Sequence, residues 1–329
     1  MMHHILLLGA GSMGKTHANA YSQMKEAKVV GIVDIRPEQA SKAAELLGCP
    51  VFTTYEEAKE QLDQIDVVDI CLPTPLHSEY IRKAADDGKH VICEKPLARN
   101  AKQAREAIDY CNAKGVQLYV GHVVRFFPEY ELAKQRIESG VIGKPAVAHL
   151  SRCGYFPTGA DGWYADYEKS GGTPLDLMIH DFDFLRYVFG EVESVYAKGT
   201  YNKGIPNRDY TWATLRFKNC VIAHVEGSWS HERFTTKFEF AGDKGIIDYD
   251  SSKETALVLE RKAAETGKRG VAVPSSPMRH SPYFKELKHF LECIEQGKKP
   301  IVTAEDALEA VRIAECVIES ITSGKRIEL

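Results

Sequence analysis

With 329 residues, 44% of them hydrophobic and 27% charged, the chain exceeds the roughly 250–300 residues at which one hydrophobic core stops growing, so two domains are expected and disordered, collagen-like or disulfide-stapled classes are excluded. Forty-two Lys and Arg against 46 Asp and Glu leave a formal net charge of −4, with no basic segment to neutralise a phosphate backbone, which argues against a nucleic-acid partner. The 8 cysteines are scattered without a C-x-x-C pair, which argues against a zinc cage and for a reducing, cytoplasmic setting, and no apolar run approaches a membrane span.

The first third alternates short apolar runs with helical stretches. Strands are expected at residues 4–8, 28–34, 66–72, 90–94 and 117–121, and helices at 12–22, 37–47, 76–87 and 101–114. Strands that are apolar nearly throughout are covered on both faces, so a parallel sheet built from βαβ units follows. The opening run Ile5-Leu6-Leu7-Leu8 is too short for a signal-peptide core before Gly9 interrupts it.

Gly9-Ala10-Gly11-Ser12-Met13-Gly14 joins the first strand to the first helix. In that context Gly9 permits a tight turn, Gly11 lets the backbone approach a pyrophosphate, and Gly14 lets helix and strand pack closely. The backbone around Ser12 and Met13 then offers free N–H groups at the positive end of the helix dipole. Asp34 follows 20 residues after Gly14, where a carboxylate accepts hydrogen bonds from the adenosine ribose and repels a 2′-phosphate, favouring NAD over NADP. Arg36 is the opposing signal, because a guanidinium there pairs with that phosphate.

Leu72-Pro73-Thr74-Pro75-Leu76-His77 sets a Pro-constrained turn at the carboxyl edge of the sheet. Thr74 is a candidate cofactor contact. His77 has two readings, a side chain that lines the cleft or one that caps the helix. Glu94-Lys95-Pro96 ends the next strand, placing an ammonium beside a carboxylate at the edge where ligands of such sheets bind.

Beyond residue 122 the rhythm changes, so domains are expected at 1–122 and 123–329. A helix at 128–139, a strand at 145–151 and an aromatic loop at 154–172 precede a helix at 174–189. Strand-like runs at 191–202, 210–217, 220–230, 233–241 and 245–250 read as an antiparallel meander, and helices at 283–296 and 303–323 close the chain. Thr173 is the expected N-cap of the helix that follows, with Pro174 at its first position and Asp176 in its first turn, where a carboxylate favours the dipole. At about 100° per residue, Asp176, His180, Asp183 and Tyr187 form a narrow polar stripe flanked by apolar residues, which suits a cleft wall. Asp176 and His180 are four apart, so the carboxylate is placed to orient the imidazole.

The glycine motif, Pro73-Thr74-Pro75-Leu76-His77, Glu94-Lys95-Pro96 and Gly171-Gly172-Thr173-Pro174-Leu175-Asp176 through His180-Asp181-Phe182-Asp183, in this order, resemble the glucose-fructose oxidoreductase, inositol dehydrogenase and MocA family over essentially the whole chain. The resemblance implies an α/β protein with an N-terminal Rossmann dinucleotide-binding domain and a C-terminal α+β domain. The second domain would carry a largely antiparallel open sheet through which a homodimer or homotetramer forms. It also implies NAD(P)-dependent oxidation or reduction of a sugar or cyclic polyol. The family's catalytic lysine matches Lys95, its substrate-binding aspartate Asp176 and its catalytic histidine His180. The His-Asp-Phe-Asp run and Gly121-His122-Val123-Val124-Arg125-Phe126 look most like the inositol dehydrogenase branch.

The expected mechanism is hydride transfer from a secondary carbinol carbon to nicotinamide. His180 would accept the hydroxyl proton, Lys95 would stabilise charge on the reacting oxygen, and Asp176 would hold a substrate hydroxyl. Arg125, Asp161, Trp163, Tyr164 and Tyr167 are further candidates for polyol contacts. Four alternatives stay open: NAD-assisted glycoside hydrolysis, an NADP-preferring sugar or aldehyde reductase, a regulatory NAD-binding protein, and a divalent metal held by Asp176, His180 and Asp183 with His149 or His122.

Overall fold

In the computed structural model, which describes residues 1–200, 207–253 and 280–329, the apolar runs of the first third build one parallel sheet. Its strands are β1 (His3–Leu8), β2 (Ala27–Val33), β3 (Val51–Phe52), β4 (Val67–Ile70), β5 (His90–Glu94) and β6 (Leu118–Gly121). They alternate with α1 (Ser12–Tyr21), α2 (Pro37–Leu47), α3 (Tyr55–Gln61), α4 (His77–Asp86) and α5 (Ala101–Lys114). The order is β3-β2-β1-β4-β5-β6, with every pairing parallel. The strand order therefore reverses between β1 and β4, and in an open α/β sheet that reversal marks the ligand-binding edge.

Both faces of this sheet are covered. Leu6 and Leu8 point into a core with Ile81 and Ala84 of α4 and Ala104 and Ile108 of α5, while Ile5 and Leu7 point into a second core on the opposite face. Each of these four β1 side chains is fully buried. At about 25 cal/mol per Å² of apolar surface removed from water, each such side chain contributes roughly 1.5–3 kcal/mol.

The next elements are α6 (Pro128–Glu138), β7 (Pro145–Tyr155), α7 (Tyr167–Ser170), α8 (Ile179–Phe189), β8 (Val192–Gly199), β9 (Tyr210–Phe217), β10 (Ile222–Ser228), β11 (Ser230–Gly242) and β12 (Ile246–Asp250). The chain closes with α9 (Pro282–Gln296), α10 (Ala304–Ser323) and β13 (Ile327–Glu328). The second sheet runs β12-β11-β7-β10-β9-β8-β13 and is not the simple meander expected. β8, β9 and β10 do form one, but β7 lies between β10 and β11 and pairs in parallel with β10. The cause is local. Only Trp229 separates β10 from β11, fewer than the two residues of the shortest common hairpin, so the chain steps past the end of β7 instead of folding back. Residues 201 and 202 of the run expected at 191–202 lie outside the described residues.

One face of this sheet is packed and the other open. Along β9, Thr211, Ala213, Leu215 and Phe217 are buried while Trp212 and Arg216 face outward. Phe189 of α8 meets Phe217 and Phe240 at ring-centroid distances of 5.9 and 5.8 Å. A buried ion pair joins α8 to β7: Arg152 donates from Nε and Nη2 to the two Asp181 oxygens at 2.9 and 2.7 Å.

By packing, the chain divides into one unit of Met1–Phe127 and Ser275–Val311 and another of Pro128–Pro274 and Arg312–Leu329. The expected boundary near residue 122 is therefore incomplete, because a late segment returns to the first unit. Leu287, Phe290 and Leu291 of α9 complete the core that holds Ile5 and Leu7, and Ala307 and Leu308 of α10 join the opposite one. An amphipathic helix shows in its sequence that it covers something, but not which sheet it covers.

Candidate active site

In the first unit, the glycine turn is built as its residues demand. Gly9 adopts φ +93°, and a Cβ there would stand 2.5 Å from the Cys71 carbonyl oxygen. A Cβ on Gly14 would stand 1.9 Å from the Gly9 carbonyl oxygen, so α1 packs against its own entry turn only with glycine at that position. Gly11 differs, since a Cβ there meets nothing within 4 Å. No side chain caps α1 and no acidic residue stands in its first turn. Ser12 and Met13, both half-buried, open the helix. An uncapped, uncrowded N-terminus behind a glycine turn fits the pyrophosphate of a dinucleotide, which takes up the free N–H groups.

Asp34 stands directly after β2 and is 8% exposed. Its Oδ2 accepts the Ala10 amide at 2.8 Å and its Oδ1 the Arg36 amide at 2.9 Å. The carboxylate thus ties the glycine turn to the end of β2, and each oxygen keeps a lone pair for a further donor such as a ribose hydroxyl. The Arg36 side chain is 42% exposed, with Nε 3.9 Å from Asp34 Oδ1.

Thr74 is buried in a short 3₁₀ turn, Thr74–Leu76. His77, buried at the start of α4, has Nδ1 2.8 Å from the Pro96 carbonyl and Nε2 2.9 Å from the Leu72 carbonyl. The ring staples the turn after β4 to the turn after β5, and no side chain caps α4. Burial pulls its pKa below the ordinary value, against the two carbonyls that raise it. Glu94 is buried, while Lys95 is half-buried and joined to Pro96 by a cis peptide. Glu94 Oε2 accepts the Lys95 amide at 3.0 Å, and Oε1 lies 3.1 Å from Nε2 of His17. Sequence reasoning missed His17 and its second partner, Asp69. The available signal was a charged residue inside the doubly covered run Val67-Val68-Asp69-Ile70, which requires a buried partner.

In the second unit, the helix bearing Asp176 and His180 begins differently from expectation. Thr173 is not its N-cap; Gly172 precedes a π-helical turn, Thr173–Leu177, in which the Met178 amide reaches the Thr173 carbonyl at 2.8 Å. The Thr173 amide is served instead by Oδ2 of Asp209 at 2.8 Å. Asp209, fully buried, has a carboxyl pushed upward by that burial, and sequence reasoning missed it as well. The wider turn also means that a uniform 100° projection holds only from Ile179 onward. Asp176 is 6% exposed and Asp183 1%, whereas His180 and Tyr187 are half-buried, so the polar stripe lies largely inside the fold.

Further candidates separate on inspection. Arg125 is buried in the 3₁₀ turn Val123–Phe126, where Nη1 donates to the Ile301 carbonyl at 2.7 Å and to Asp306 Oδ2 at 3.2 Å. That nitrogen clamps the first unit. Trp163 and Tyr164 lie with ring centroids 4.0 Å apart, and Tyr164 is buried with Leu177 and Trp229. Asp161 is exposed and Tyr167 half-buried. The alternative metal set is not drawn together: among the described residues the one cluster of three ligand-type groups is His17, Asp69 and Cys71.

The chain matches the family model described as oxidoreductase family, NAD-binding Rossmann fold, over residues 3–122, and the one described as oxidoreductase family, C-terminal alpha/beta domain, over residues 134–329. The chain belongs to the Gfo/Idh/MocA oxidoreductase family. As a member of the family it is 30% identical to the myo-inositol 2-dehydrogenase of Thermotoga maritima over 332 residues, 98% of this chain and 97% of that one. It is also 30% identical to the scyllo-inositol 2-dehydrogenase (NAD(+)) of Bacillus subtilis, across 98% of this chain and 95% of that one. It shares its fold with the scyllo-inositol dehydrogenase of Lactobacillus casei solved with bound NAD(H) and scyllo-inositol, at TM-score 0.83 and 23% identity over 100% and 99% of the two chains. This Gfo/Idh/MocA protein is thus a nicotinamide-dependent dehydrogenase acting on CH–OH groups, with an NAD-binding Rossmann domain.

Proposed function

We propose that the protein oxidises a secondary hydroxyl of a cyclic polyol of the inositol class with NAD. The carrying observation is the uncapped α1 N-terminus behind the Gly9–Gly14 turn with Asp34 fixed beside it, an arrangement suited to the pyrophosphate and an unphosphorylated ribose. The two full-length inositol dehydrogenase relatives support the substrate class.

When bound, NAD supplies a nicotinamide ring that accepts a hydride. The chain's residues handle the rest. The Lys95 ammonium donates a hydrogen bond to the reacting oxygen, whose charge grows as the C–H bond breaks. The His180 imidazole takes the hydroxyl proton, so hydride and proton leave the carbinol by separate routes. Asp176 accepts a hydrogen bond from a neighbouring substrate hydroxyl and orients His180. Trp163 and Tyr164 offer aromatic faces to the ring. Arg125 holds Asp306 through Nη1 and stays a candidate polyol contact.

The eight free thiols support a reducing, cytoplasmic setting. The outward-facing Tyr196 and Trp212, 43% and 42% exposed, support self-association as a dimer or tetramer through the open face of the second sheet. The test is a panel of inositols, hexoses, sugar phosphates and aryl glycosides with NAD and NADP, read by absorbance of the reduced nicotinamide. NAD reduction by an inositol supports the reading. Release of an aglycone without net reduction, or turnover with NADP alone, overturns it, the latter giving Arg36 control of the ribose site.

A further inference from the structure

A buried polar cluster in the first unit takes no part in the roles assigned above. His17, on α1 one turn beyond Gly14, is fully buried, with Nδ1 2.8 Å from Asp69 Oδ2 and Nε2 3.1 Å from Glu94 Oε1. Tyr21, one turn further on, donates its hydroxyl to the same Asp69 oxygen at 2.9 Å, and the Cys71 sulfur lies 3.3 Å from His17 Nδ1. The other Glu94 oxygen holds the Lys95 amide at 3.0 Å. A continuous line of bonds therefore runs from the helix behind the glycine turn, through one imidazole and one carboxylate, to the backbone of Lys95.

We propose that His17 is a positioning residue for Lys95: held between Asp69 and Glu94, it fixes the carboxylate that holds the Lys95 amide, and so ties the placement of the lysine to the helix at the cofactor's phosphates. This rests on the reading of Lys95 as the group that meets the reacting oxygen.

The chemistry of the cluster supports the assignment. Ionised carboxylates only accept hydrogen bonds, so a ring facing one through each nitrogen satisfies both only when both nitrogens carry protons. Tyr21 and the Lys95 amide also donate into the same two carboxylates. Burial alone would lower the His17 pKa, but Asp69 and Cys71 raise it well above the ordinary value; burial alone would raise Glu94, but His17 and Lys95 hold it below. From α9, the Tyr283 ring faces His17 at a centroid distance of 6.3 Å, and Glu286 bears on Tyr21. The imidazole thus lies buried between two buried carboxyl groups. A neutral residue at position 17 leaves two buried carboxylates uncompensated, and Glu94 is then free to leave the Lys95 amide.

The test combines turnover with a probe of Lys95 that needs no substrate: the resonance of its ¹³C-dimethylated amine, assigned by its loss in Lys95→Arg. In His17→Gln this resonance should move, and turnover should fall roughly 10- to 100-fold, the scale of a misplaced catalytic group, with NAD affinity little changed. The double variant His17→Gln/Asp69→Asn removes one carboxylate along with the imidazole, and should bring the Lys95 resonance back toward that of the unmodified protein. A purely structural staple predicts no such rescue. An unmoved Lys95 resonance in a folded His17→Gln protein overturns the proposal. If that variant does not fold, ¹⁵N spectra of the unmodified protein at about pH 8 decide it: two ring protons on His17 support the bridge, and a single proton overturns it. Normal turnover of Lys95→Arg and Lys95→Ala, with the resonance still moved by His17→Gln, would instead sink the role of Lys95 and leave the bridge standing.

Discussion

Replacing Asp34 by Ser separates the turn-building role seen in the structure from the proposed ribose-acceptor role of the same carboxylate. Oδ2 holds the Ala10 amide at 2.8 Å and Oδ1 the Arg36 amide at 2.9 Å, with only 8% of the residue exposed. A hydrogen bond to a charged group contributes about 1.5–3 kcal/mol, so loss of the ribose acceptor alone should weaken NAD roughly 10- to 150-fold at about 1.4 kcal/mol per tenfold. The glycine turn also loses its tie to β2, which lowers the melting temperature of the cofactor-free protein by the equivalent of about 1–3 kcal/mol. NADP should behave oppositely, because a repulsive charge disappears and the Arg36 guanidinium is released from it. Titration calorimetry with both dinucleotides, paired with thermal melts, measures all of these changes. An equal loss for NAD and NADP would mean that Asp34 only builds the turn, and tighter NADP binding by the unmodified protein would refute the ribose assignment.

Lys95→Ala should retain NAD affinity and lose roughly 10²-fold or more in turnover, the scale of one positioned charge-stabilising group; full activity would return Lys95 to an ordinary surface charge. Asp176→Asn should reduce turnover severely while the melting temperature shifts by the equivalent of at most about 2 kcal/mol, the upper end of a dipole interaction for a buried carboxylate. His180→Ala should remove most activity, and a double variant with Asp176→Asn should be scarcely slower than the worse single one, because residues acting as a unit are not additive. Stability should also respond to pH through His77, whose pKa is lowered by burial. Below about pH 6.5 the unfolded chain binds the proton more readily than the folded one, so the melting temperature should fall as the medium is acidified, and His77→Gln should flatten that limb.

The first sheet was legible because its strands are apolar on both faces, a pattern that only a doubly covered parallel sheet satisfies. Its missed pieces are short: β3 has two residues, and α3 shows little apolar periodicity. The start of α3 was nonetheless written in the chain, since Thr54 Oγ1 accepts the Glu57 amide at 3.1 Å, the Thr-x-x-Glu signature of a helix N-terminus. The second sheet was legible in its strands apart from the two-residue β13, but not in their order, because the position of β7 depends on a single connecting residue after β10. Of the site, the glycine turn carried its own signal: Gly9 and Gly14 admit no Cβ without collision with backbone. The start of the Asp176 helix did not, because the Asp209 carboxylate that serves the Thr173 amide is 36 residues distant in sequence. The Arg125 bond to Asp306 was not legible either, because its partner lies 181 residues along the chain.

The most direct measurement follows the hydride itself. Myo-inositol or scyllo-inositol deuterated at its carbinol carbons is incubated with the protein and NAD, and the fate of the label is read by NMR. The expected result is deuterium on the nicotinamide ring, one equivalent for each ketone formed, with a slowed rate when hydride transfer limits turnover. Label that stays on the sugar, or that is lost to water without reduced cofactor accumulating, would contradict net oxidation of a cyclic polyol.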